Sequence, residues 1–225
     1  MSEQMQKKKS DASFYILMAV VIVLVGILMY SLGKSSVTGG AIGITGSSIG
    51  TASALKIIPT GVPSVYGAEL KISFDDISEA TPQKADATIS VLGNIDISET
   101  LEGAELERYI NILYVLENGI SCEYCCGARA VIFENGDPAC GCAHSYAMRG
   151  LTKYLIKFHG DKYTDEEILE EIGKWKVLFF PGIHETKAQV LQSQGIEINY
   201  INLASNKYRG IEQGAGSGGE MVGGC

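Results

Sequence analysis

A continuous apolar segment near the N-terminus is the strongest constraint on this chain. Residues 14–32 read FYILMAVVIVLVGILMYSL, and no charged side chain lies between Asp11 and Lys34. A helix of this length spans about 30 Å, the thickness of the hydrocarbon core of a bilayer. Because the segment also lacks the polar face that core helices of soluble domains carry, it predicts an uncleaved, single-pass transmembrane helix at residues 14–32.

Charge on the two sides of this segment predicts its orientation. Three consecutive lysines, residues 7–9, precede it, and only Lys34 follows closely. Lysine-rich flanks stay in the cytoplasm, so residues 1–13 are predicted to be a cytoplasmic tail and the C-terminal domain to lie outside the cytoplasm, attached to the cell membrane. Beyond the segment there are 15 Lys and Arg against 24 Asp and Glu, a net charge of −9. Such a domain is repelled by phosphate backbones, which argues against nucleic acid as a partner.

Composition divides the rest of the chain into three parts. Residues 33–54 are rich in Gly, Ser and Thr and are predicted to be a flexible linker. Residues 211–225 form a glycine-rich tail. Between them, residues 55–210 have the size of one domain with a single core, and this extracytoplasmic domain contains the cysteine cluster described below.

The predicted fold class is α+β, with a β-rich first half. Residues 70–74 alternate between apolar and polar side chains, as a half-buried strand does. Residues 89–98 resemble two short strands joined by Gly93 and Asn94, a pair typical of a two-residue hairpin turn. Residues 196–203 also alternate and predict a returning strand.

Helices are predicted after the first strands and through the second half. Apolar residues recur at helical spacing over residues 104–117, 144–158 and 185–194. A fourth helix is predicted to begin at Thr164, whose hydroxyl forms a capping box with the carboxylate three residues later, and to break at Pro181.

Five of the six cysteines are concentrated in one short stretch. The sequences CEYCC and CGCAH supply the candidate metal ligands Cys122, Cys125, Cys126, Cys140, Cys142 and His144. Between them, a β-prone segment ends at Asn135 and Gly136, a hairpin signal that would bring the two groups together. This zinc-ribbon-like arrangement predicts that the six residues bind a metal ion.

The identity of the metal is less constrained than the site. The second group lies at the start of a predicted helix, where unpaired N–H groups and the helix dipole favour thiolates. Zinc accepts four cysteines, or three cysteines and one histidine, and copper(I) prefers soft thiolates. An iron–sulfur centre is less expected outside the cytoplasm. Met148, one turn after His144, and Cys225 in the tail are further candidate ligands.

The cysteines also allow other interpretations. Disulfides would have to connect the two groups, because Cys125 and Cys126 are adjacent and their Cα atoms are only about 3.8 Å apart. The spacing Cys122-x-x-Cys125 is that of thiol–disulfide exchange motifs, which would indicate a redox or electron-transfer protein. Lysines, a short polar spacer and an apolar segment, in that order, also fit a pilin-like surface subunit.

The leading interpretation is a membrane-anchored, metal-binding module. It would serve as a structural staple or as a metal carrier, and an enzyme is less expected. The sequence indicates no protein partner.

The segment around the second cysteine group resembles a known family. Residues 138–145 read PACGCAHS and lead into two helices. This region is similar to small extracytoplasmic proteins named for a PCYCGC motif, although it lacks the first cysteine of that motif. The resemblance covers about 60 residues, and it implies a membrane-attached, metal-binding protein with Cys140, Cys142 and His144 as ligands.

Overall fold

The structure, a computed structural model, describes residues 56–215, 219 and 221–223. The described residues belong to one compact unit. Among the described residues the α-helices are α1 (Gly67–Leu70), α2 (Pro82–Ser98), α3 (Gly103–Ile110), α4 (Ala143–His159), α5 (Asp165–Phe179), α6 (Pro181–Ser193) and α7 (Tyr200–Ala204). A π-helical turn (Asn111–Val115) and a 3-10 turn (Leu116–Asn118) continue α3, and two further 3-10 turns cover Phe74–Asp76 and Asn206–Tyr208.

Helices α2 and α4 form the most extensive helix pair of the domain. They approach closely at Gly150, where a Cβ atom would overlap the carbonyl oxygen of Leu92 in the facing helix. The same crossing contains a buried ion pair, in which Arg149 Nε lies 2.7 Å from Asp96 Oδ2. Lys153 Nζ approaches the other oxygen of this carboxylate at 2.8 Å. The pairing therefore depends on close backbone contact and on buried charge as well as on apolar packing.

Helix α5 lies at the centre of the apolar core. Trp175 is fully buried, and its Nε1 donates a hydrogen bond of 2.8 Å to Tyr66 Oη. The Trp175 ring also packs against Phe74, with the ring centroids 5.0 Å apart. These contacts fix the segment before α2 against α5. One turn later, at the C-terminal end of α5, Phe179 packs on His144 of the cysteine cluster.

The α+β prediction is wrong for the described residues, which are helical and contain no sheet. Residues 70–74 form the end of α1 and the start of a 3-10 turn, and residues 89–98 lie within α2. The apolar residues Ile89 and Leu92 lie on one helical face, which packs on α4, so tertiary packing overrides the β-preference of the isoleucines. Residues 196–203 are a loop followed by α7.

The predicted hairpin between the cysteine groups is also absent as a pair of strands. Residues 120–139 contain only isolated bridges, Ile132 with Pro138 and Ile120 with Ser205. A turn is nevertheless present, because Gly136 donates its N–H to the Phe133 carbonyl. The chain thus reverses near Asn135 as predicted, without a zinc-ribbon fold.

Several helix predictions are confirmed. The helix predicted at 144–158 is α4, and that predicted at 104–117 is α3 with its continuing turns. Thr164 forms both hydrogen bonds of the capping box with Glu167. The predicted cytoplasmic tail, transmembrane segment 14–32 and linker lie outside the described residues, and no helix within the described part is both long and apolar enough to cross a membrane.

Replacement of Gly150 by alanine tests the close approach of α2 and α4. We expect a loss of about 1–3 kcal/mol in the free energy of unfolding, because the added methyl group must displace the α2 backbone. The matched control is Gly93→Ala in α2, where a Cβ would meet only the Cβ of Tyr146 at 3.4 Å. That change should stabilise by up to about 1 kcal/mol, since alanine favours helix. Equal effects of both substitutions in urea denaturation would contradict this description.

Candidate metal centre

Two thiols and one imidazole converge in the interior of the domain. Ligand atoms of Cys122, Cys142 and His144 all lie within 4.8 Å of one another, and all three residues are buried. The sulfur atoms of Cys122 and Cys142 are 3.4 Å apart. The residues come from two separate turns of the chain, so the site depends on the folded domain and not on local sequence alone.

Two structural elements position the three ligands. Cys122 follows Ile120, which pairs with the end of α7 at Ser205. Cys142 is the N-cap residue of α4, and its Sγ accepts a hydrogen bond from the backbone N–H of Ser145 at 3.4 Å. His144 lies in the first turn of α4, where it is fully buried. The helix start predicted from the sequence therefore does present Cys142 and His144 together.

The two thiols share one proton. Hydrogen bonds with the Cys122 thiol, and then with His144 and Ser145, lower the pKa of Cys142 to about 3 despite burial. Conversely, the hydrogen bond to Cys142 and burial raise the pKa of Cys122. Cys142 is therefore a thiolate at neutral pH, and Cys122 supplies the proton that a cation would displace.

A C-terminal segment fixes the orientation of His144. The imidazole Nε2 donates to the carbonyl oxygen of Val222 at 2.8 Å, since a carbonyl can only accept. Val222 is itself buried, and its N–H donates to the Phe179 carbonyl at 2.9 Å. The ring also packs on Phe179, with centroids 4.6 Å apart. The Val222 carbonyl and the Phe179 ring thus fix the orientation of the imidazole, as a carbonyl does for a ligating histidine in many metal sites.

A disulfide lies directly beside this group. Cys126 and Cys140 are bonded, with their Cα atoms 6.7 Å apart. Cys140 is buried, whereas Cys126 is exposed. The neighbouring Cys125 is also exposed and is itself disulfide-bonded, so it is not a free metal ligand. The sulfur of Cys140 is 3.5 Å from that of Cys142. The cluster thus contains both a disulfide and a potential metal-ligand group, which the sequence presented as alternatives.

The other predicted ligands have different positions. Met148 is buried within the hydrophobic core, on the apolar face of α4. Cys225 lies outside the described residues. Two contributors were not predicted: Ser145, whose place three residues after the N-cap was a usable signal, and Val222, which acts through its backbone carbonyl and has no sequence signature.

A buried charged group lies on the other side of Cys122. Glu123 has a positive φ of 59° and its Oε2 lies 3.2 Å from Lys176 Nζ and 3.9 Å from Lys187 Nζ. Burial by itself raises the pKa of Glu123, but the two ammonium groups lower it below its usual value. Burial lowers the pKa of Lys176 to about 8. These charges anchor the turn that carries Cys122 against α5 and α6.

Comparison with known proteins does not assign the chain to a family. No protein-family model, curated protein or solved structure matches it. The site must therefore be interpreted from its own geometry.

Removal of residues 221–225 tests whether the C-terminal segment orients His144. We expect metal affinity to fall about 10–100-fold, which is typical when a group that orients a metal ligand is lost. Val222→Ala retains the carbonyl and should bind metal nearly as the full chain does. Cys225→Ser removes the tail sulfur but keeps Val222, so an equal loss in that variant would contradict the positioning role. Competition with a chelator of known affinity measures all four proteins.

His184 provides a pH test of the buried group beside the site. Its Nδ1 donates to the Phe180 carbonyl at 2.8 Å, and burial, together with Lys176 and Lys187, lowers the pKa of His184 well below its usual value. Below about pH 6.5 the imidazole of His184 becomes protonated in the unfolded chain but stays neutral in the folded protein. The free energy of unfolding should therefore fall as the pH decreases from about 6.5 to 5, by up to about 1.4 kcal/mol per pH unit from this group.

The variant His184→Gln should remove this part of the slope. Urea denaturation of chelator-treated protein between about pH 5 and 7.5 measures the difference. Identical slopes for the two proteins would show that His184 does titrate in the folded state.

Proposed function

We propose that this protein binds one soft transition-metal ion through Cys122, Cys142 and His144, and that copper(I) is the preferred ion. The observation that carries the proposal is the convergence of two thiols and an imidazole within 4.8 Å in a buried site. Buried polar groups are rarely placed together without a partner, and thiolates and imidazole are the ligands that copper(I) and zinc prefer.

The number and type of ligands favour copper(I) over zinc in this form of the protein. Copper(I) accepts three ligands readily, and its softness suits two sulfur donors. Zinc in structural sites almost always takes four protein ligands. Because Cys140 is held in a disulfide with Cys126, it does not supply a fourth ligand here.

The surroundings of the three residues support binding more than catalysis. Relative exposure is 1% for Cys122, 8% for Cys142 and 0% for His144. Catalytic metal sites keep a coordination position open to water or substrate, whereas closed sites hold the metal. A metal store or structural staple fits this degree of burial.

We also infer that the domain works outside the cytoplasm. A disulfide such as Cys126–Cys140 persists in oxidising compartments and is rare in the cytosol. Labelling of Cys126 in intact cells with a membrane-impermeant thiol reagent, before and after reduction, tests this location. Labelling that requires cell lysis would contradict it.

Metal binding is tested directly on the disulfide form of the protein. The Cys126–Cys140 bond is first verified by mass spectrometry, and anaerobic protein is then titrated with copper(I) and, separately, with zinc(II) in the presence of competing chelators. One copper(I) per chain is expected, with X-ray absorption showing two sulfur neighbours and one nitrogen neighbour. Failure of protein with free Cys122 and Cys142 to bind either ion would overturn the proposal.

A second candidate function is thiol–disulfide exchange. The observation in its favour is the Cys142 thiolate, whose sulfur lies 3.5 Å from Cys140 in the neighbouring disulfide. When such a thiolate attacks Cys140 Sγ, a Cys140–Cys142 bond forms, the Cys126–Cys140 bond breaks, and Cys126 leaves as a thiolate. Reduction of an external disulfide substrate at a rate that depends on Cys142 but not on His144 would favour this function over metal binding.

A further inference from the structure

We propose that opening the Cys126–Cys140 disulfide releases Cys140 as a fourth ligand and converts the group of two cysteines and one histidine into a four-ligand site suited to zinc(II). The inference rests on the proposed metal-binding function and adds to it a control by redox state. The disulfide would then determine how many ligands the site offers and which ion it prefers.

The position of the Cys140 sulfur supports this inference. It lies 3.5 Å from Cys142 Sγ, and Cys142 Sγ lies 3.4 Å from Cys122 Sγ. In a tetrahedral site with zinc–sulfur distances of about 2.3 Å, neighbouring sulfur atoms are about 3.8 Å apart. Cys142 Sγ is therefore spaced from each of the other two sulfur atoms nearly as neighbouring thiolates around one zinc ion would be, and the bond to Cys126 is what commits Cys140 elsewhere.

The backbone of Cys140 is held in place by contacts that do not involve the disulfide. Arg149 Nη1 donates to the Cys140 carbonyl at 2.8 Å, and the N–H of Ala139 donates to the Val131 carbonyl at 3.1 Å. Arg149 is itself fixed by Asp96 at 2.7 Å. Opening the disulfide should therefore leave Cys140 beside Cys142.

Cys126 is the partner that can depart. It is exposed, whereas Cys140 is buried. A reductant can therefore reach the outer sulfur first. The asymmetry makes Cys126 the accessible end of the bond and Cys140 the end that remains at the metal.

Buried positive charge compensates for a third thiolate. Arg149 is fully buried next to Cys140, and Lys176 is fully buried on the side of Cys122. Zinc with three thiolates and one imidazole carries a net charge of −1, which would be costly in an apolar interior. Cations on both sides of the site reduce that cost.

The chemistry requires a two-electron reductant, and a dithiol is the class that fits. One thiolate of the dithiol attacks Cys126 Sγ, the Cys126–Cys140 bond breaks, and Cys140 departs as a thiolate. The second thiol of the reagent then displaces Cys126, so that the dithiol becomes a disulfide and both cysteines are reduced. Zinc binding keeps Cys140 as the thiolate.

The experiment compares zinc binding before and after treatment with a dithiol, followed by anaerobic removal of the reagent. We expect reduction to tighten zinc binding on the order of 100-fold, the share of one ligand in a four-ligand structural zinc site. Copper(I) affinity should change much less. Cobalt(II), used as a spectroscopic probe of the zinc site, should show a thiolate charge-transfer band that increases by about half, since three thiolates replace two.

Two variants make the result specific. Cys140→Ser should bind zinc equally before and after dithiol treatment, at the weaker level. A Cys126→Ser variant, which keeps the disulfide-bonded Cys125, cannot form the bond to Cys140 and should bind zinc at the tighter level without reductant. Equal zinc affinity and equal cobalt spectra of the wild-type protein in both redox states would overturn the inference while leaving the proposed function intact. Absence of metal binding in both states would overturn the proposed function itself.

Discussion

Replacement of Cys142 by serine is expected to weaken copper(I) binding by at least about 100-fold while the domain remains folded. Cys142 contributes both a sulfur to the metal-ligand group and the N-cap of α4. Serine is among the preferred N-cap residues, so its hydroxyl can accept the Ser145 N–H in place of the sulfur. The substitution therefore separates the two roles, because it removes the soft ligand and retains the helix start.

The matched control for this variant is Met148→Leu. Met148 carries the other sulfur on α4 and lies in the hydrophobic core. Leucine has a similar volume, so both stability and metal affinity should change little. Circular dichroism verifies the fold, and chelator competition measures the affinity. If Cys142→Ser retained wild-type affinity, or Met148→Leu lost it, the assignment of ligands would be wrong.

Replacement of Asp96 by alanine should destabilise the domain by about 3–5 kcal/mol. The Asp96 carboxylate is buried between Arg149 Nε at 2.7 Å and Lys153 Nζ at 2.8 Å. Its removal leaves the guanidinium of Arg149 buried without an anion, and the cost of an uncompensated buried charge exceeds that of the lost attraction. Urea denaturation of the chelator-treated protein measures the loss.

An exposed ion pair between the same two helices provides the comparison. Glu99, just after α2, accepts from Lys157 of α4 at 2.7 Å, but both side chains are partly exposed to solvent. Glu99→Ala should have a much smaller effect, because water replaces the lost partner. Similar losses for Asp96→Ala and Glu99→Ala would show that burial does not determine the strength of the α2–α4 contact.

The sequence predicted the helices whose apolar residues form a clear stripe, but not α2. Three isoleucines and the pair Gly93-Asn94 suggested strands and a turn, although Ile89 and Leu92 also share a helical face. What decides the outcome is α4, which meets α2 from more than fifty residues away through Gly150 and Arg149. The secondary-structure propensities of neighbouring residues do not predict a contact of this kind. For the same reason, the sequence did not distinguish Asp96 from an ordinary polar residue before its partner Arg149 was known.

The sequence indicated which residues form the candidate site better than it indicated how they are arranged. Spacing and the helix start identified Cys142 and His144 as neighbours, and the structure places Cys122 with them. Spacing does not determine pairing, so the bond between Cys126 and Cys140 could not be separated from the ligand group in advance. The carbonyl of Val222 acts through the backbone, for which every residue offers the same atom, and no sequence pattern distinguishes it.

The dual role of the Cys142 sulfur links occupancy of the site to motion of the helix behind it. An ion bound at that atom would hold the first turn of α4, and α4 meets α2 without clearance at Gly150. Amide hydrogen exchange should consequently slow along both helices when the ion binds, not only at Ser145. Loss of the ion would then destabilise both α2 and α4. Proteases would consequently cleave the domain more readily, even at positions far from its sulfur atoms.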